Sequence, residues 1–270
     1  MRILFSLIFL FCFQQVNAQE LFVYTEPASN MAAKGIGIRL ANSLMKETGS
    51  EKYNYHFLPE IMWGVSKKIM IHAEGFFSNR EHTLNAEGAA LYMKYRFYSR
   101  DEVHSHFRMA AYARGAYNNS DVHQRVIDLN GHNSGYEAGM IATKLISKLA
   151  LSVSGSFLHA TDNGAGNKFQ YGNKNRNAVS YSFSAGKLML PKNYTDYKQT
   201  NLNAMVELLG QMNLHSNKSY LDLAPSVQFI FLSKMRLDIG YRFAMVKDLL
   251  RTAENGFLVR FEYNFFNVYK

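Results

Sequence analysis

Residues 256–270 read Gly-Phe-Leu-Val-Arg-Phe-Glu-Tyr-Asn-Phe-Phe-Asn-Val-Tyr-Lys, and their alternating side chains give the clearest indication of the fold. Its large apolar side chains share one parity, and its charged and amide side chains share the other. This period of two is what a β-strand needs to present one apolar and one polar face. The apolar parity holds Phe257, Val259, Phe261, Tyr263 and Phe265, and the polar parity holds Arg260, Glu262 and Asn264. Nearly every earlier segment repeats the pattern, so the sequence predicts an all-β fold in which an antiparallel up-and-down sheet closes on itself in a membrane.

The N-terminus has the features of an export signal. Met1-Arg2 precedes an apolar run over residues 3–13 and the small-residue site Val16-Asn17-Ala18. These features predict a cleaved secretory signal peptide over residues 1–18. No later stretch reaches the roughly 18 apolar residues of a transmembrane helix, so any membrane span must be built from strands. The predicted location is the cell outer membrane.

Composition narrows the function further. The chain is 47% hydrophobic and 14% aromatic, which suits a barrel in which every other residue faces lipid. Its formal charge is +9, but the lysines and arginines are dispersed along the chain, so we predict no nucleic-acid partner. The only cysteine, Cys12, lies in the predicted signal peptide, which leaves the mature chain without a disulfide or a cysteine metal site.

The chain in order predicts about twelve strands, an even number as in bacterial single-chain barrels. An irregular lead-in over residues 19–34 precedes a barrel over residues 35–270. Counted from a periplasmic N-terminus, the connections alternate between short turns and long external loops, except for a long turn at 191–200 and a short loop at 213–219. The predicted strands are 35–45, 53–65, 69–78, 89–99, 107–117, 135–143, 149–159, 178–186, 202–211, 220–232, 236–245 and the quoted C-terminal stretch.

A soluble β-sandwich is the alternative fold. It would also hide aromatic side chains, but it would not need a polar face on nearly every strand. Aromatic residues collect near the predicted strand ends, as at Tyr53, Tyr95, Tyr117 and Tyr136. Interfacial girdles of membrane barrels lie at these positions, so the membrane barrel is favoured.

The inward parity predicts a polar lumen. Its charges are nearly balanced, which disfavours a pore strongly selective for anions or cations. One interpretation is a structural ion-pair network around a narrow or closed lumen. The other is a polar constriction that screens small solutes. The predicted lumen-facing residues are Arg39, Glu60, Glu74, Lys94, Arg96, Arg108, Arg114, Glu137, Glu207, Asp222, Asp238, Arg242, Arg260 and Glu262, with Arg236 beside them.

Metal and catalytic sites receive little support. His104 and His106 share a predicted turn, and His56 and His72 face inward on neighbouring strands, but a metal site needs three or four converging ligands. Ser156 and His159 have opposite parity, so a strand points them apart. We find none of the common hydrolase, phosphate-loop or metalloprotease motifs. We therefore predict no cofactor, no metal and no enzymatic activity.

Three segments carry a family resemblance. Residues 58–65 read Leu-Pro-Glu-Ile-Met-Trp-Gly-Val, residues 87–97 read Glu-Gly-Ala-Ala-Leu-Tyr-Met-Lys-Tyr-Arg-Phe, and residues 256–260 read Gly-Phe-Leu-Val-Arg. They resemble Gram-negative outer-membrane barrels of the transporter-like family named for the meta-pathway of phenol degradation. The resemblance implies a channel for small hydrophobic or aromatic compounds. The final Tyr269-Lys270 departs from the terminal aromatic residue of such barrels.

Two hypotheses follow. The first is a channel or transporter-like protein that passes a small solute through a narrow polar lumen. The second is a closed structural or surface-interaction barrel that meets a partner through its external loops, above all 118–134 and 160–177. Expected partners are outer-membrane lipid, the barrel-insertion machinery during biogenesis and the small solute. If the lead-in enters the lumen, Glu26 and Lys34 are candidates to pair there.

Overall fold

The computed structural model describes residues 22–80, 83–103, 105–169, 171–192, 196 and 198–269. Within these residues, twelve antiparallel strands form one closed barrel. The predicted fold and strand number are confirmed. The predicted signal peptide, Cys12 and His104 lie outside the described residues. No helix among the described residues is long and apolar enough to cross a membrane.

Each strand pairs with its sequence neighbours, and the first strand closes the barrel against the last. In that closing ladder Ile36 faces Phe265 and Arg39 faces Glu262. One 3-10 turn, Asn173–Arg176, lies between β7 and β8. The strands are β1 Ile36–Glu47, β2 Tyr53–Trp63, β3 Ile69–Ser78, β4 Asn85–Glu102, β5 Ser105–Asn118, β6 Gly135–Ile146, β7 Leu149–Ala160, β8 Asn177–Leu190, β9 Asn201–Asn213, β10 Ser219–Phe231, β11 Met235–Lys247 and β12 Ala253–Phe265.

The predicted parity separates an apolar outside from a polar inside. On β12, Phe257 is 54% exposed and Phe261 is 41% exposed, whereas Arg260 and Glu262 are 7% and 4% exposed. A soluble protein would bury the aromatic face and leave the charges in water. A closed barrel with the opposite arrangement is an outer-membrane barrel, because its exterior meets lipid and its strands hydrogen-bond to one another around the closed sheet.

The two rims of the barrel differ in their connections. β1 begins and β12 ends at one rim, which also carries short turns such as residues 64–68, 147–148 and 232–234. The other rim carries the long loops 119–134 and 161–176. Short turns mark the periplasmic end of such barrels. The two predicted exceptions are present, since the turn after β8 spans residues 191–200 and the loop after β9 spans only 214–218.

The C-terminal end departs from the predicted strand. β12 stops at Phe265 instead of continuing to Lys270, which lies outside the described residues. The chain then folds back over the periplasmic rim, where the Trp63 Nε1 donates to the Tyr269 hydroxyl at 2.7 Å. That hydroxyl lies 3.0 Å from the carbonyl oxygen of Gly64. Tyr269 therefore anchors the tail to the turn after β2.

Candidate functional site in the barrel lumen

The lead-in lies inside the barrel. Phe22, Val23, Ala28 and Ser29 are at most 5% exposed, although they belong to no strand. Two wall glycines make room for it. A Cβ at Gly64 would lie 2.1 Å from the carbonyl oxygen of Ala32, and one at Gly240 would lie 2.8 Å from the Tyr24 ring. The backbone and one aromatic ring of the lead-in therefore occupy space that a side chain would otherwise take.

Glu207 and Arg260 hold the first half of the lead-in. The Glu207 carboxylate accepts hydrogen bonds from the backbone N–H groups of Val23, Tyr24 and Thr25, each at 2.9 Å. It also accepts from the Thr25 hydroxyl at 2.7 Å. Arg260, of opposite charge to Glu207, binds the backbone acceptors and donates to the Phe22 and Val23 carbonyl oxygens at 2.9 and 2.7 Å.

Lys94 and its neighbours hold the second half. Lys94, 0% exposed, donates to the carbonyl oxygens of Pro27 and Ser29 at 2.7 and 2.8 Å. The Ala28 N–H donates to the Thr143 hydroxyl at 2.9 Å, and Arg108 donates to the Ser29 hydroxyl at 2.9 Å. Lys94, Arg108 and Glu207 were all predicted to face the lumen. In the structure each of them bonds to the lead-in, and none of these bonds joins one of the three to another.

Glu26 pairs differently from the expectation. Its carboxylate lies 2.9 Å from Arg39 and 3.4 Å from Lys94. Lys34 is exposed at the periplasmic rim, where its backbone N–H donates to the Gly64 carbonyl oxygen. The proposed Glu26–Lys34 pair is therefore wrong, because by residue 34 the chain has already left the lumen to begin β1.

A continuous ion-pair network surrounds this segment. Arg39 contacts Glu60 and Glu262 at 2.9 and 2.8 Å. Arg236 lies 2.6 Å from Glu262, and 3.2 Å from Asp238. Asp238 in turn contacts Arg260 at 2.7 Å and accepts from Gln228, while Glu60 also contacts His72. The network links β12 and β1 to their neighbours on either side of the closing ladder.

Two guanidinium groups share one carboxylate higher in the barrel. Arg251 binds Asp222 through two hydrogen bonds of 2.5 and 2.9 Å and lies over the Tyr220 ring. The Arg242 Nε is 3.5 Å from the same carboxylate. Arg251 comes from the loop after β11, and no strand parity places it in the lumen. Sequence reasoning therefore missed the residue that neutralises Asp222.

The opposite wall carries an aromatic and acidic cluster. Arg114 lies 3.3 Å from Glu74 and over the ring of Tyr92. Tyr92 packs against Tyr112 with ring centroids 5.4 Å apart, and the Tyr112 hydroxyl donates to Glu137 at 2.7 Å. Tyr92 is only 4% exposed, and its hydroxyl has no hydrogen-bond partner among the described residues.

Serines of β7 and β8 form a hydroxyl ladder on the inner wall. Ser152, Ser154 and Ser156 face Ser184, Ser182 and Ser180 directly across the pair of strands. The Ser154 and Ser182 hydroxyls lie 2.6 Å apart. Because small side chains fill little of the lumen, this wall leaves space that bulkier residues would occupy.

These walls enclose a chamber of about 400 Å³. The Tyr24–Glu26 part of the lead-in forms its floor, and residues 126–130 of the loop after β5 form part of its roof. Arg114 and Glu137 line one side, and Arg242 lines another. The volume lies in the range of small-molecule sites.

The loop 119–134, here called the lid, crosses the extracellular mouth. Its apolar residues Val122, Val126, Ile127 and Leu129 are at most 4% exposed. Its backbone bonds to the far wall, because Ile127 exchanges two hydrogen bonds of 2.9 and 2.8 Å with the Gln211 side chain on β9. The Arg125 N–H donates to the Leu250 carbonyl oxygen at 2.9 Å. The lid is thus packed across the mouth instead of standing free above it.

A histidine pair joins the lid to β2. The rings of His132 and His56 stack with centroids 5.0 Å apart, and the His132 Nδ1 lies 3.0 Å from Asp128. Burial, aided by the nearby Arg80 charge, lowers the pKa of His132. Burial alone would raise the pKa of Asp128, but its contact with His132 and the hydrogen bond that it accepts from the Asn130 N–H outweigh that effect, so the pKa lies well below the usual range.

Arg96 lies apart from the chamber, and Ser156 and His159 lie apart from each other. Arg96 sits at the periplasmic rim, where it donates to the Lys67 carbonyl oxygen at 2.8 Å. Ser156 lines the chamber, whereas His159 stacks on the exposed Tyr136 and contacts Asn177. Among the described residues, no three histidine, cysteine or acidic side chains are grouped as metal ligands.

Comparison with known proteins places the fold among outer-membrane channels. An outer-membrane channel from Pseudomonas putida F1 is 10% identical, with a TM-score of 0.57, over 90% of this chain and 100% of that one. The KdgM porin is 9% identical, with a TM-score of 0.52, over 85% of this chain and 99% of that one. No protein-family model matches the chain, and no curated protein matches it. What the chain shares with both is the fold, a closed antiparallel barrel.

Proposed function

We propose that this barrel is an outer-membrane channel that passes a small solute. The observation that carries the proposal is the chamber of about 400 Å³, lined by tyrosines, serines and charged side chains inside a closed barrel. A lumen serving only for stability would gain more from complete packing than from a lined space. Nearly balanced charges favour small polar or dipolar solutes over a single ion type.

We infer that the described arrangement is a closed state of that channel. The lead-in fills the periplasmic half, and the lid covers the mouth. A solute that crosses must therefore meet a lead-in or lid that has moved. Both segments lie outside the strands, so they can move without breaking the barrel ladder.

The solute we propose to test first is small and carries an aromatic ring. Tyr92 and Tyr112 line the chamber, and Tyr112 is only partly buried, so its ring is accessible to a solute. The resemblance of residues 58–65, 87–97 and 256–260 to the transporter-like family supports the same class. Fully apolar compounds fit less well, because charged groups line the chamber on several sides.

Single-channel conductance of the purified, heat-modifiable barrel tests the proposal. We expect discrete openings that change in size with Arg114→Gln, because Arg114 lines the chamber, and that change less with Arg96→Gln at the rim. Arg100→Gln is the matched control, since Arg100 is 72% exposed and pairs with Glu102 outside the lumen. A correctly folded barrel with neither conductance nor solute-dependent liposome swelling would refute the channel.

A second candidate function is a closed surface-interaction barrel. The observation that favours it is that the lid and the loop 161–176 pack together, with Asn163 donating to the carbonyl oxygens of Ser120 and His132 at 2.8 and 2.9 Å. Deleting both loops should then abolish binding of a surface partner and leave permeability unchanged. Unchanged binding after the deletion would count against this function.

We also propose that the barrel-insertion machinery acts on the C-terminal strand during biogenesis. β12 supplies the alternating pattern, and Phe265 ends it at the periplasmic rim. Tyr269 lies beyond this strand and is bound to Trp63 in the folded protein. Replacing Phe265 with Ser should slow assembly in membranes, measured as the fraction of heat-modifiable protein, whereas Tyr269→Ser should not.

A further inference from the structure

The lumen contacts the lead-in mainly through main-chain atoms. Glu207 accepts from three successive backbone N–H groups. Arg260 donates to two successive carbonyl oxygens, and Lys94 donates to two more. Thr143 takes a further backbone N–H, that of Ala28. Polar side-chain contacts are made by Thr25, Glu26 and Ser29, and Phe22 and Val23 add apolar packing against the wall.

Groups of this kind recognise a peptide by its backbone. Every peptide offers N–H donors and carbonyl acceptors, whatever its side chains. A buried carboxylate matches the donors and buried cations match the acceptors, and these charge-assisted bonds are stronger than neutral ones. Glu207 and Lys94 are both 0% exposed, so neither is satisfied by water when the site is filled.

The wall also adapts to the shape of a chain. Gly240 leaves space for the Tyr24 ring, and Gly64 lets the backbone of Ala32 pass. The side chains at Ala28 and Ala32 are small. The site therefore fits an extended peptide backbone and leaves room for side chains at certain positions. It is less suited to a compact solute.

We propose that the periplasmic half of the lumen is a binding site for short oligopeptides, which the lead-in occupies in cis. A free peptide binds the same groups when the lead-in leaves. This inference goes beyond the channel proposal, because peptide binding does not require that a solute cross the barrel.

The test frees the lead-in without refolding the barrel. A site-specific protease recognition sequence is inserted between Ala32 and Ala33, beside the exposed rim position Lys34, in the full chain. The folded barrel is cleaved in detergent, and the released segment is removed by dilution. Rebinding is then followed by fluorescence anisotropy, with a synthetic peptide of residues 22–32 that carries a fluorophore at its C-terminal end.

Three peptides separate backbone from side-chain recognition. The parent peptide should bind saturably. A peptide altered at Tyr24→Phe, Asn30→Ala and Met31→Leu should bind within about threefold of it. Methylation of the amide nitrogens of Val23, Tyr24 and Thr25 removes the donors to Glu207 and should weaken binding by about 100-fold or more.

A barrel variant provides the reciprocal control. Glu207→Gln should weaken the parent peptide by about tenfold or more, because it replaces a charged acceptor by a neutral amide. Glu51→Gln removes an exposed carboxylate that pairs with Lys46 outside the lumen and should leave binding unchanged. Equal binding of the methylated peptide, strict dependence on the parent side chains, or no rebinding at all would overturn the proposal.

Conductance recorded on the same cleaved barrel keeps the two proposals distinct. Openings without peptide binding would leave the channel standing and reject the peptide site. Saturable peptide binding to a barrel that never conducts would do the reverse.

Discussion

The lead-in and the lid both obstruct the lumen, but by different kinds of interaction. The lead-in is held by buried charges, chiefly Glu207, Lys94 and Arg260, which bond to its backbone. The lid is held by buried apolar side chains such as Val126 and Ile127 and by neutral hydrogen bonds between the Ile127 backbone and the Gln211 side chain. Charge-assisted hydrogen bonds dominate the first closure, to which Phe22 and Val23 add apolar packing, and apolar packing dominates the second.

The difference indicates how each closure opens. A buried charge that loses its partner is left unsatisfied, so breaking any one of the charged contacts to the lead-in costs a large free energy. An apolar lid loses stability gradually as its contacts are trimmed. We therefore expect the lead-in to be released as a unit and the lid to loosen by degrees.

One reporter can distinguish the two sides. The predicted mature chain contains no cysteine, so Ser154→Cys, which lines the chamber, would be its only thiol. Impermeant thiol reagents added to either side of oriented liposomes then measure access past the lead-in or past the lid.

The largest effect is expected from Glu207→Ala. The substitution leaves three backbone N–H groups in the lumen without an acceptor, which should weaken binding of the lead-in to the wall by about 4 kcal/mol. Labelling of the chamber thiol should rise strongly from the periplasmic side and stay unchanged from the outside. Heat-modifiable migration of the variant confirms that the barrel is folded. Equal increases from both sides would show that the two closures are not independent.

Ile127→Ala should act on the lid alone. Ile127 is 1% exposed, and the loss of its buried side chain should cost about 3 kcal/mol of lid stability. Labelling should rise from the outside only. Leu214→Ala on the neighbouring extracellular loop is the control, because Leu214 is 44% exposed and should change little. An equal rise in outside labelling for Ile127→Ala and Leu214→Ala would contradict the role of the buried Ile127 side chain in closing the mouth.

Acidification should also loosen the lid, by a smaller amount. A histidine whose pKa is lowered by burial binds its proton more weakly when the lid is closed than when it is open. The closed lid is therefore most stable above the ordinary histidine pKa of about 6.5 and loses stability as the pH falls below it. Asp128, whose pKa is also lowered, adds a further loss only below about 4.

His132→Phe tests this pH dependence. It keeps a ring against His56 but removes the proton-binding group. Outside labelling of the chamber thiol, taken relative to His132→Phe at each pH, should rise severalfold between about pH 7 and pH 5. A constant ratio would mean that His132 does not control the lid.

The sequence predicted the barrel because strand parity is a local property. The alternation on β12 is visible in any single strand, and a barrel repeats it. Parity also placed Arg39, Glu60, Glu207, Asp222 and Arg260 on the inward face. It could not say which charges meet, because Arg39 and Glu262 are far apart in the sequence and meet through the closing ladder.

Strand parity cannot place residues that lie outside the strands. The lead-in has no period, so its place in the lumen depended on contacts with Glu207 and Lys94, whose bonding could not be assigned from sequence. Arg251 lies in a loop and was missed for the same reason.

The smallest effect is expected where the lead-in leaves the lumen. The tail beyond β12 secures that point, because the Val268 N–H donates to the Lys34 carbonyl oxygen at 2.9 Å and Tyr269 bonds to Trp63. Trp63→Phe removes one partly exposed neutral hydrogen bond, worth about 1 kcal/mol. Labelling of an Ala33→Cys thiol should rise a few fold, while the chamber thiol stays protected because Glu207 and Lys94 still hold the segment. Exposure of the chamber thiol in this variant would mean that the tail, and not the buried charges, keeps the lead-in in place.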